Sequence, residues 1–221
     1  MATNATQGAS GDADILKRAK VGYAVLLTSQ GLAFIHAGDE MFRTKEATFG
    51  ASPKTKSSAS RTFVEDSYNA SDAINMVKWA NVYAGDPIAG GFANYASSNN
   101  GYKLFAYTQG LIALRKSTNA FRLPDAVRAA NLASLPVNGV GASTLAFGYK
   151  ATSTDSTGTY YVFHNADATA KIFTVDAGFA GATLLADGNS AGLTSLATST
   201  TVAVSGTTVT VQPLTSAIFR K

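Results

Sequence analysis

Apolar residues recur at helical spacing near the start of the chain, three or four positions apart, with basic residues between them. A short polar side chain at Ser10 or Asp12 is suited to cap the first turn, because its oxygen can accept from a free backbone N–H. The pattern predicts an amphipathic helix that ends near Ser29. Its apolar positions are Ile15, Leu16, Ala19, Tyr23, Leu26 and Leu27, and its polar positions are Lys17, Arg18 and Lys20.

A short apolar run follows this helix. Leu32 to Ile35 is continuous and apolar, which is typical of a strand buried on both faces. A helix followed by such a strand indicates an αβ unit of a parallel sheet. The run leads into His36 and then the acidic pair Asp39 and Glu40.

Residues 41–100 are rich in Ser, Thr, Asn, Gly and Ala and are predicted to be mostly loop. A loop of this length in a compact domain is usually functional. One short helical turn is predicted within it, from Ser71 to about Lys78. A second amphipathic helix is predicted over 102–117, and a shorter helix over 125–131.

Apolar and polar residues alternate with period two in the last third of the chain. Turns that contain Gly or Asn, such as Asp187-Gly188-Asn189 and Ser205-Gly206, separate the alternating runs. About seven strands of this kind predict a small antiparallel β-sandwich. The runs are 145–149, 159–163, 171–175, 183–185, 201–204, 208–211 and 216–219.

Composition indicates a globular chain: 46% of its 221 residues are hydrophobic and 14% are charged. The net charge is +4 and the pI is near 9.2. No run of Lys or Arg exceeds two residues, and no basic stripe is interleaved with aromatic residues. Binding to nucleic acid is therefore not expected.

Missing residue types exclude several chemistries. The chain has no cysteine, which excludes disulfides, thiolate catalysis and Cys-based zinc sites. His36 and His164 are the only histidines, so a His-rich metal site is not expected. No cofactor is predicted either. His36, in an apolar run, is predicted to be a core histidine with satisfied hydrogen bonds. No nucleophile-elbow motif supports Ser-His-Asp catalysis.

The chain shows no targeting or membrane signal. Residues 1–14 are polar and lack a basic leader before an apolar stretch, so no signal peptide is predicted. The most apolar segment, 21–37, is interrupted by polar residues and is too short to span a membrane. The compartment stays open between secreted and cytoplasmic.

Several motifs occur in one collinear order along the chain. They are Val25–Gly31, Phe34–Glu40, Arg43–Lys45, Asp66–Asp72, Gly110–Ser117, Ala120–Arg122 and Ala186–Gly192. In this order they resemble the C-terminal third of type I pullulanases, debranching enzymes of the alpha-amylase superfamily (glycoside hydrolase family 13). The first two resemble that family's seventh helix and eighth barrel strand, the next two its loop after that strand, and the following two its eighth helix. The last resembles part of its C-terminal β-sandwich.

The resemblance implies hydrolysis of α-1,6-glucosidic bonds in pullulan, starch branches and limit dextrins, with retention of configuration. Retaining glycosidases use two carboxyl groups about 5–5.5 Å apart. In a (β/α)8 barrel such groups follow the C-terminal ends of several strands. In this superfamily the nucleophile follows the fourth strand, the acid follows the fifth, and a third carboxylate follows the seventh. Because the resemblance begins after the seventh strand, we expect no catalytic residue in this chain.

The resemblance also implies substrate contact by the loop after the eighth strand. Tyr68 would stack on a glucose ring or bond to it, and Asn69 and Asp72 match polar positions near the non-reducing subsites. Arg43 would orient the loop or pair with a carboxylate. Loop scaffolding is the alternative role for Tyr68, Asn69 and Asp72. The sequence departs from the family at Lys78, where a carboxylate is common.

Three further residues have a structural and a functional interpretation. Adjacent residues at a strand end point to opposite faces, so Asp39 and Glu40 cannot both flank one glycosidic bond. They are predicted to bond loop backbone instead. Trp79 is expected to pack under the loop rather than to form a sugar platform.

The predicted fold class is α/β plus all-β. Residues 1–130 form the last αβα portion of a (β/α)8 barrel, and residues 131–221 form a C-terminal antiparallel β-sandwich that is stable by itself. The leading hypothesis is the C-terminal part of a pullulanase-type debranching glycosidase, inactive in isolation. Its partners are an α-glucan such as pullulan or limit dextrin and the upstream part of the catalytic barrel. The alternatives are a non-catalytic glucan-binding or assembly module and a β-rich adhesive domain.

Overall fold

The α-helices of the described residues lie before residue 132, and the two larger sheets lie after them. A computed structural model describes residues 12–45, 55–58, 61–77, 100–138 and 145–221. The helices are α1 (Asp12–Thr28), α2 (Asp72–Asn75), α3 (Asn100–Lys116) and α4 (Asp125–Asn131). The strands are β1 (Thr55–Ser58), β2 (Arg61–Val64), β3 (Leu132–Leu135), β4 (Ala146–Thr152), β5 (Thr159–Asn165), β6 (Lys171–Thr174), β7 (Thr183–Ala186), β8 (Val202–Ser205), β9 (Thr208–Val211) and β10 (Thr215–Arg220).

The predicted helices are confirmed. The bounds of α1, α3 and α4 agree with the periodic pattern to within two residues, and α2 is a single turn that Ser71 precedes. Ser10 lies outside the described residues. The predicted apolar positions of α1 are buried, except that Leu26 is half-buried.

Lys20 does not lie on the solvent-exposed face of α1, where it was predicted. Only 7% of the residue is exposed, and its ammonium donates to the carbonyl oxygens of Gly188 (3.2 Å) and Asn189 (2.9 Å). Its Nζ also lies 4.9 Å from the centre of the Tyr107 ring. A long aliphatic side chain can be buried when its charged end keeps polar and aromatic partners. Helical spacing does not report such partners.

The strand predicted over Leu32–Ile35 does not form in the structure of this chain. Residues 32–36 have no regular secondary structure, Leu32 is fully exposed, and Phe34 is 86% exposed. A buried parallel strand needs hydrogen-bonded neighbours. None of the strands among the described residues pairs with this segment. The apolar run is therefore left in water.

The long loop predicted over 41–100 contains a hairpin. β1 pairs with β2 in antiparallel register, from Thr55 opposite Val64 to Ser58 opposite Arg61. β1 is Thr-Lys-Ser-Ser, so apolar alternation gives no signal for it. The hairpin lies next to Lys45, whose carbonyl accepts from the Val64 N–H at 2.9 Å.

The two sheets of the C-terminal half are antiparallel, as the alternation predicts. One sheet has the order β3-β4-β5-β10-β7 and the other the order β6-β9-β8. Side chains from both sheets share one core, which is typical of a β-sandwich. Strand β3 was missed because it is short and follows α4 directly. The core residues are Leu135, Tyr161, Phe163, Phe173, Val175, Phe179, Val209, Val211, Ala217 and Phe219.

Asp187 organises the predicted Asp187-Gly188-Asn189 turn. One of its carboxylate oxygens accepts from the N–H groups of Asn189 (2.8 Å) and Ser190 (2.9 Å), and the other accepts from the Ser199 hydroxyl (2.6 Å). These bonds explain how a carboxylate that is 3% exposed is tolerated. In the turn between β8 and β9, Gly206 has a φ of 55°, which favours glycine.

The chain divides into two compact units. One comprises the described residues up to 15 and those from 35 to 105, and the other comprises residues 16–34 and the described residues from 106 onward. Most of α1 and of α3 is thus grouped with the sandwich. Within that unit, the Phe121 and Tyr160 rings lie 5.2 Å apart, and a Cβ added at Gly110 would lie 1.9 Å from the Ala191 carbonyl oxygen.

Candidate functional site

The predicted substrate residues Tyr68, Asn69 and Asp72 lie on a turn and the helical turn that follows it. Tyr68 is 89% exposed, and Asn69 and Asp72 are also exposed. The Ala70 N–H donates to the Ser67 carbonyl at 3.1 Å, which closes the turn. The Tyr68 N–H donates to Oδ1 of Asp66 at 3.2 Å. The turn therefore presents one aromatic ring and one amide to solvent, with a carboxylate on α2.

Arg43 lies beneath this segment and uses its guanidinium for loop carbonyls. Its Nε donates to the Met76 carbonyl at 3.2 Å, its Nη2 donates to the Asn75 carbonyl, and its Nη1 donates to the Ala37 carbonyl at 3.4 Å. A guanidinium has five N–H donors and no acceptor, which suits it to gather carbonyl groups from separate segments. Arg43 thus joins residues 36–38 to the end of α2.

The tight turn that precedes Arg43 requires a glycine. Gly38 has a φ of 95°, and a Cβ at this position would lie 2.6 Å from Cδ of Arg43. Both the left-handed backbone and the close approach of the arginine exclude a side chain here. Oε2 of Glu40 accepts from the Gly38 N–H at 2.9 Å, which confirms the predicted bond to loop backbone.

Asp39 and Glu40 do not end a strand, as had been expected. They belong to a single 3-10 turn, Asp39–Met41. The alternation of strand faces is therefore not what separates their side chains. The Asp39 carboxylate lies 3.9 Å from Nδ1 of His36 instead.

His36 is not the core histidine that was predicted. Its side chain is 64% exposed, because the run before it forms no buried strand. Its Nε2 lies 3.2 Å from Nη1 of Arg43. Since a guanidinium only donates, Nε2 is the acceptor in this contact.

Two cations lie close together at the base of the site. Burial, followed by the neighbouring charge of Arg43, lowers the pKa of Lys45, and Asp39 opposes this effect. Nζ of Lys45 donates to Oδ1 of Asn75 at 2.5 Å. Sequence reasoning named neither Lys45 nor Asn75 as a site residue, although Lys45 lies within one of the collinear motifs and Asn75 within the predicted helical turn.

The groups that this segment exposes suit hydrogen bonding and ring stacking. Among the described residues, no group of three or more His, Cys, Asp or Glu side chains is placed to hold a metal ion. No helix of the described part of the chain has the length and apolarity needed to cross a bilayer. Lys78 and Trp79 lie outside the described residues.

Comparison with known proteins decides the family. Residues 130–221 match the family model described as SpuA C-terminal. Pullulanase A of Streptococcus pneumoniae serotype 2 is 35% identical over 210 residues, which cover 84% of this chain and 16% of that protein. The chain is homologous to the C-terminal region of pullulanases. The resemblance to type I pullulanases is thereby confirmed.

Solved structures agree with this homology. The catalytic module of the glycogen-degrading pneumococcal virulence factor SpuA, in complex with an inhibitor, has a TM-score of 0.78 and 29% identity, covering 94% of this chain and 31% of that one. The pullulanase SAP of group B Streptococcus, in complex with maltotetraose, has a TM-score of 0.78 and 28% identity, covering 95% of this chain and 28% of that one. The chain therefore spans less than a third of each of these pullulanases.

Proposed function

We propose that this chain acts as the C-terminal part of a pullulanase-type glycosidase that hydrolyses α-1,6-glucosidic bonds in pullulan, starch branches or glycogen. The observation that carries the proposal is the exposed Tyr68–Asn69 turn in a chain that is 35% identical to a pullulanase. The nucleophile and the acid/base would lie upstream of this chain. Arg43, Tyr68, Asn69 and Asp72 would serve binding only.

Each proposed site residue has a distinct task. The Tyr68 ring would stack on a glucose ring, because flat apolar sugar faces pack on aromatic side chains. The Asn69 amide and the Asp72 carboxylate would bond sugar hydroxyls. Arg43, whose donors are directed at loop carbonyls, would act by orienting the loop. The homologous pullulanase SAP was solved with maltotetraose, which supports an α-glucan as the ligand.

The second proposed partner is the upstream part of a (β/α)8 barrel. In this proposal Leu32–Ile35 becomes the eighth barrel strand only when strands outside this chain pair with it. The near-complete exposure of Leu32 and Phe34 supports the proposal, since such side chains gain by burial against a partner. We also propose residues 1–130 as the barrel portion and residues 131–221 as the C-terminal domain, and the family match over residues 130–221 supports the second bound.

Incubation of the purified chain with pullulan tests the incomplete active site. We expect no release of reducing sugar above a no-protein control. Release at enzyme-like rates would show that the chain holds its own catalytic groups, and the proposal would be wrong. A complete pullulanase in the same assay is the positive control.

Calorimetry with maltotetraose separates the leading proposal from a non-catalytic glucan-binding module. Binding without turnover supports the module, whereas absence of binding supports a part that needs the rest of the barrel. Tyr68→Ala is the matched variant, because loss of an exposed ring leaves the fold intact. Heat that persists in Tyr68→Ala would show that the glucan binds elsewhere.

A further inference from the structure

Asn75 connects the turn that carries Tyr68 and Asn69 to the cations beneath it. Its Nδ2 donates to the carbonyl oxygens of Ser67 at 2.8 Å and Ala70 at 3.1 Å. Its Oδ1 accepts from Nζ of Lys45 at 2.5 Å. Two carbonyls require donors and an ammonium requires an acceptor, so the orientation of the amide is determined by its partners.

The backbone of Asn75 is engaged as well. Its N–H donates to the Ser71 carbonyl at 3.0 Å, and its carbonyl accepts from Arg43. One residue therefore contacts both ends of the Ser67–Ala70 turn and the cations Arg43 and Lys45. The Ala70 N–H also donates to the Ser67 carbonyl, so that oxygen accepts both from the Asn75 side chain and from the turn itself.

We propose that Asn75, with Lys45 behind it, is the positioning residue of the Tyr68–Asn69 turn. The inference rests on the proposed function, in which this turn contacts the α-glucan. Asn75 does not touch the sugar in this account. It holds the Ser67 and Ala70 carbonyls at a set separation, so that the exposed ring and amide between them stay in place before a glucan arrives. A preordered binding turn loses less conformational entropy on binding.

Asn75→Asp separates the bonds that Asn75 makes to the turn from the bond that it makes to Lys45. The carboxylate has the shape of the amide and keeps an oxygen for Lys45. Its second oxygen, however, replaces the donor that faces two carbonyl groups, so both bonds to the turn are lost. Lys45→Met has the opposite effect. It keeps the bonds from Asn75 to the turn and removes the ammonium that donates to Oδ1 of Asn75.

Amide hydrogen exchange of the 221-residue chain, read over residues 66–76, decides the proposal. We expect Asn75→Asp to raise exchange in this segment about tenfold or more, as two hydrogen bonds are lost. Lys45→Met should raise it less. Exchange of the β5 and β10 amides should stay unchanged in both variants.

Two controls match these substitutions. Asn131→Asp makes the same chemical change on α4, where the amide donates to the Val127 carbonyl. Lys103→Met removes an exposed lysine of α3. Neither should alter exchange in residues 66–76. Unchanged exchange in Asn75→Asp would overturn the proposal, and so would a rise spread evenly over the chain.

A maltotetraose titration followed by NMR keeps this proposal distinct from the proposed function. Where the unmodified chain binds, Asn75→Asp should weaken binding, and it should add no further loss in Tyr68→Ala, because it acts through that ring. Additive losses would overturn the positioning role. Where the unmodified chain does not bind, only glucan contact by the isolated chain fails, and hydrogen exchange still decides the role of Asn75.

Discussion

The Thr28 hydroxyl at the end of α1 lies 3.2 Å from Nε2 of His164 on β5. Thr28 donates its only hydroxyl proton to the Ala24 carbonyl at 2.8 Å, so it accepts the proton on Nε2. Nδ1 of His164 is then bare and accepts from the Ser216 hydroxyl at 2.8 Å. The contacts therefore specify a neutral imidazole that joins a helix to the five-stranded sheet.

This contact predicts a pH-dependent stability. Burial lowers the pKa of His164 from 6.5 to about 3. The unfolded chain therefore binds one more proton than the folded chain between these values, and stability is lost as pH falls from 6.5 toward 3. We expect the free energy of unfolding to fall by a few kcal/mol between pH 6.5 and 4. Urea titrations at half-unit pH intervals measure it.

His164→Gln is the matched variant for this prediction, since glutamine does not titrate. Its stability at neutral pH should be lower, but its profile between pH 6.5 and 4 should be flatter. Hydrogen bonds lower the pKa values of Asp155, Asp167 and Asp176, so their contribution is lost mainly below pH 4 in both proteins. Equal slopes above pH 4 would contradict the assignment to His164.

Substitution by alanine is predicted to change stability in opposite directions at two helical glycines. At Gly110 the new Cβ would lie 1.9 Å from the Ala191 carbonyl oxygen and 2.5 Å from its carbon, so backbone must move. We expect Gly110→Ala to cost about 1–3 kcal/mol or more. Gly22 is exposed and has nothing within 4 Å of the new atom, so Gly22→Ala should stabilise α1 by about 0.5–1 kcal/mol. Thermal denaturation of both variants measures the difference, and two responses of the same sign would contradict this packing.

Substitution of Arg115 is predicted to lower the free energy of unfolding strongly, although its side chain reaches the surface. Its guanidinium donates to the carbonyl oxygens of Leu27 (2.9 Å), in the last turn of α1, and of Ser29 (2.8 Å) and Gly31 (2.6 Å), which follow that helix. Arg115→Met should cost about 2–3 kcal/mol, because three carbonyls lose a charged donor. Arg115→Lys should recover only part of this, since an ammonium lacks the planar fork.

Lys116→Met is the control for Arg115, because Lys116 is exposed on the same helix. It should change the free energy of unfolding by no more than about 0.5 kcal/mol. Chemical denaturation of the three variants provides the comparison. A similar loss in Lys116→Met would mean that charge, rather than the carbonyl contacts, sets the effect.

Periodicity predicted the elements whose burial repeats along the chain. The helical spacing of α1 and α3 and the alternation of β9 report burial by the chain itself, whereas β5 and β10 are buried on both faces. The continuous apolar run over Leu32–Ile35 was misleading. It indicates a segment suited to burial, but it does not say which strands would cover it. His36 was misassigned for the same reason, since its predicted burial depended on that strand.

The contacts that arrange the candidate site could not be predicted from spacing. Asn75 lies in a predicted helical turn, but its three side-chain bonds reach residues five, eight and thirty positions away. The burial of Lys20 likewise depends on carbonyls 168 and 169 positions away. Single polar residues carry no periodic signal, so such partners emerge only once the chain is folded.

The contacts between the helices and the sandwich predict that residues 131–221 are less stable alone than in the whole chain. The sequence had predicted a sandwich that is stable by itself. Excision would remove the Thr28 hydroxyl from buried His164, the Phe121 ring from Tyr160, and the Lys20 ammonium from the Gly188 carbonyl. Loss of a buried polar partner costs about 1–3 kcal/mol, and exposing an aromatic ring costs a similar amount.

We expect faster hydrogen exchange in β5 and β10 of the excised domain than in the 221-residue chain. A longer piece, residues 100–221, restores the Phe121 contact but not those of α1, and should lie between the two. Equal exchange in all three would show that the sandwich needs neither helix.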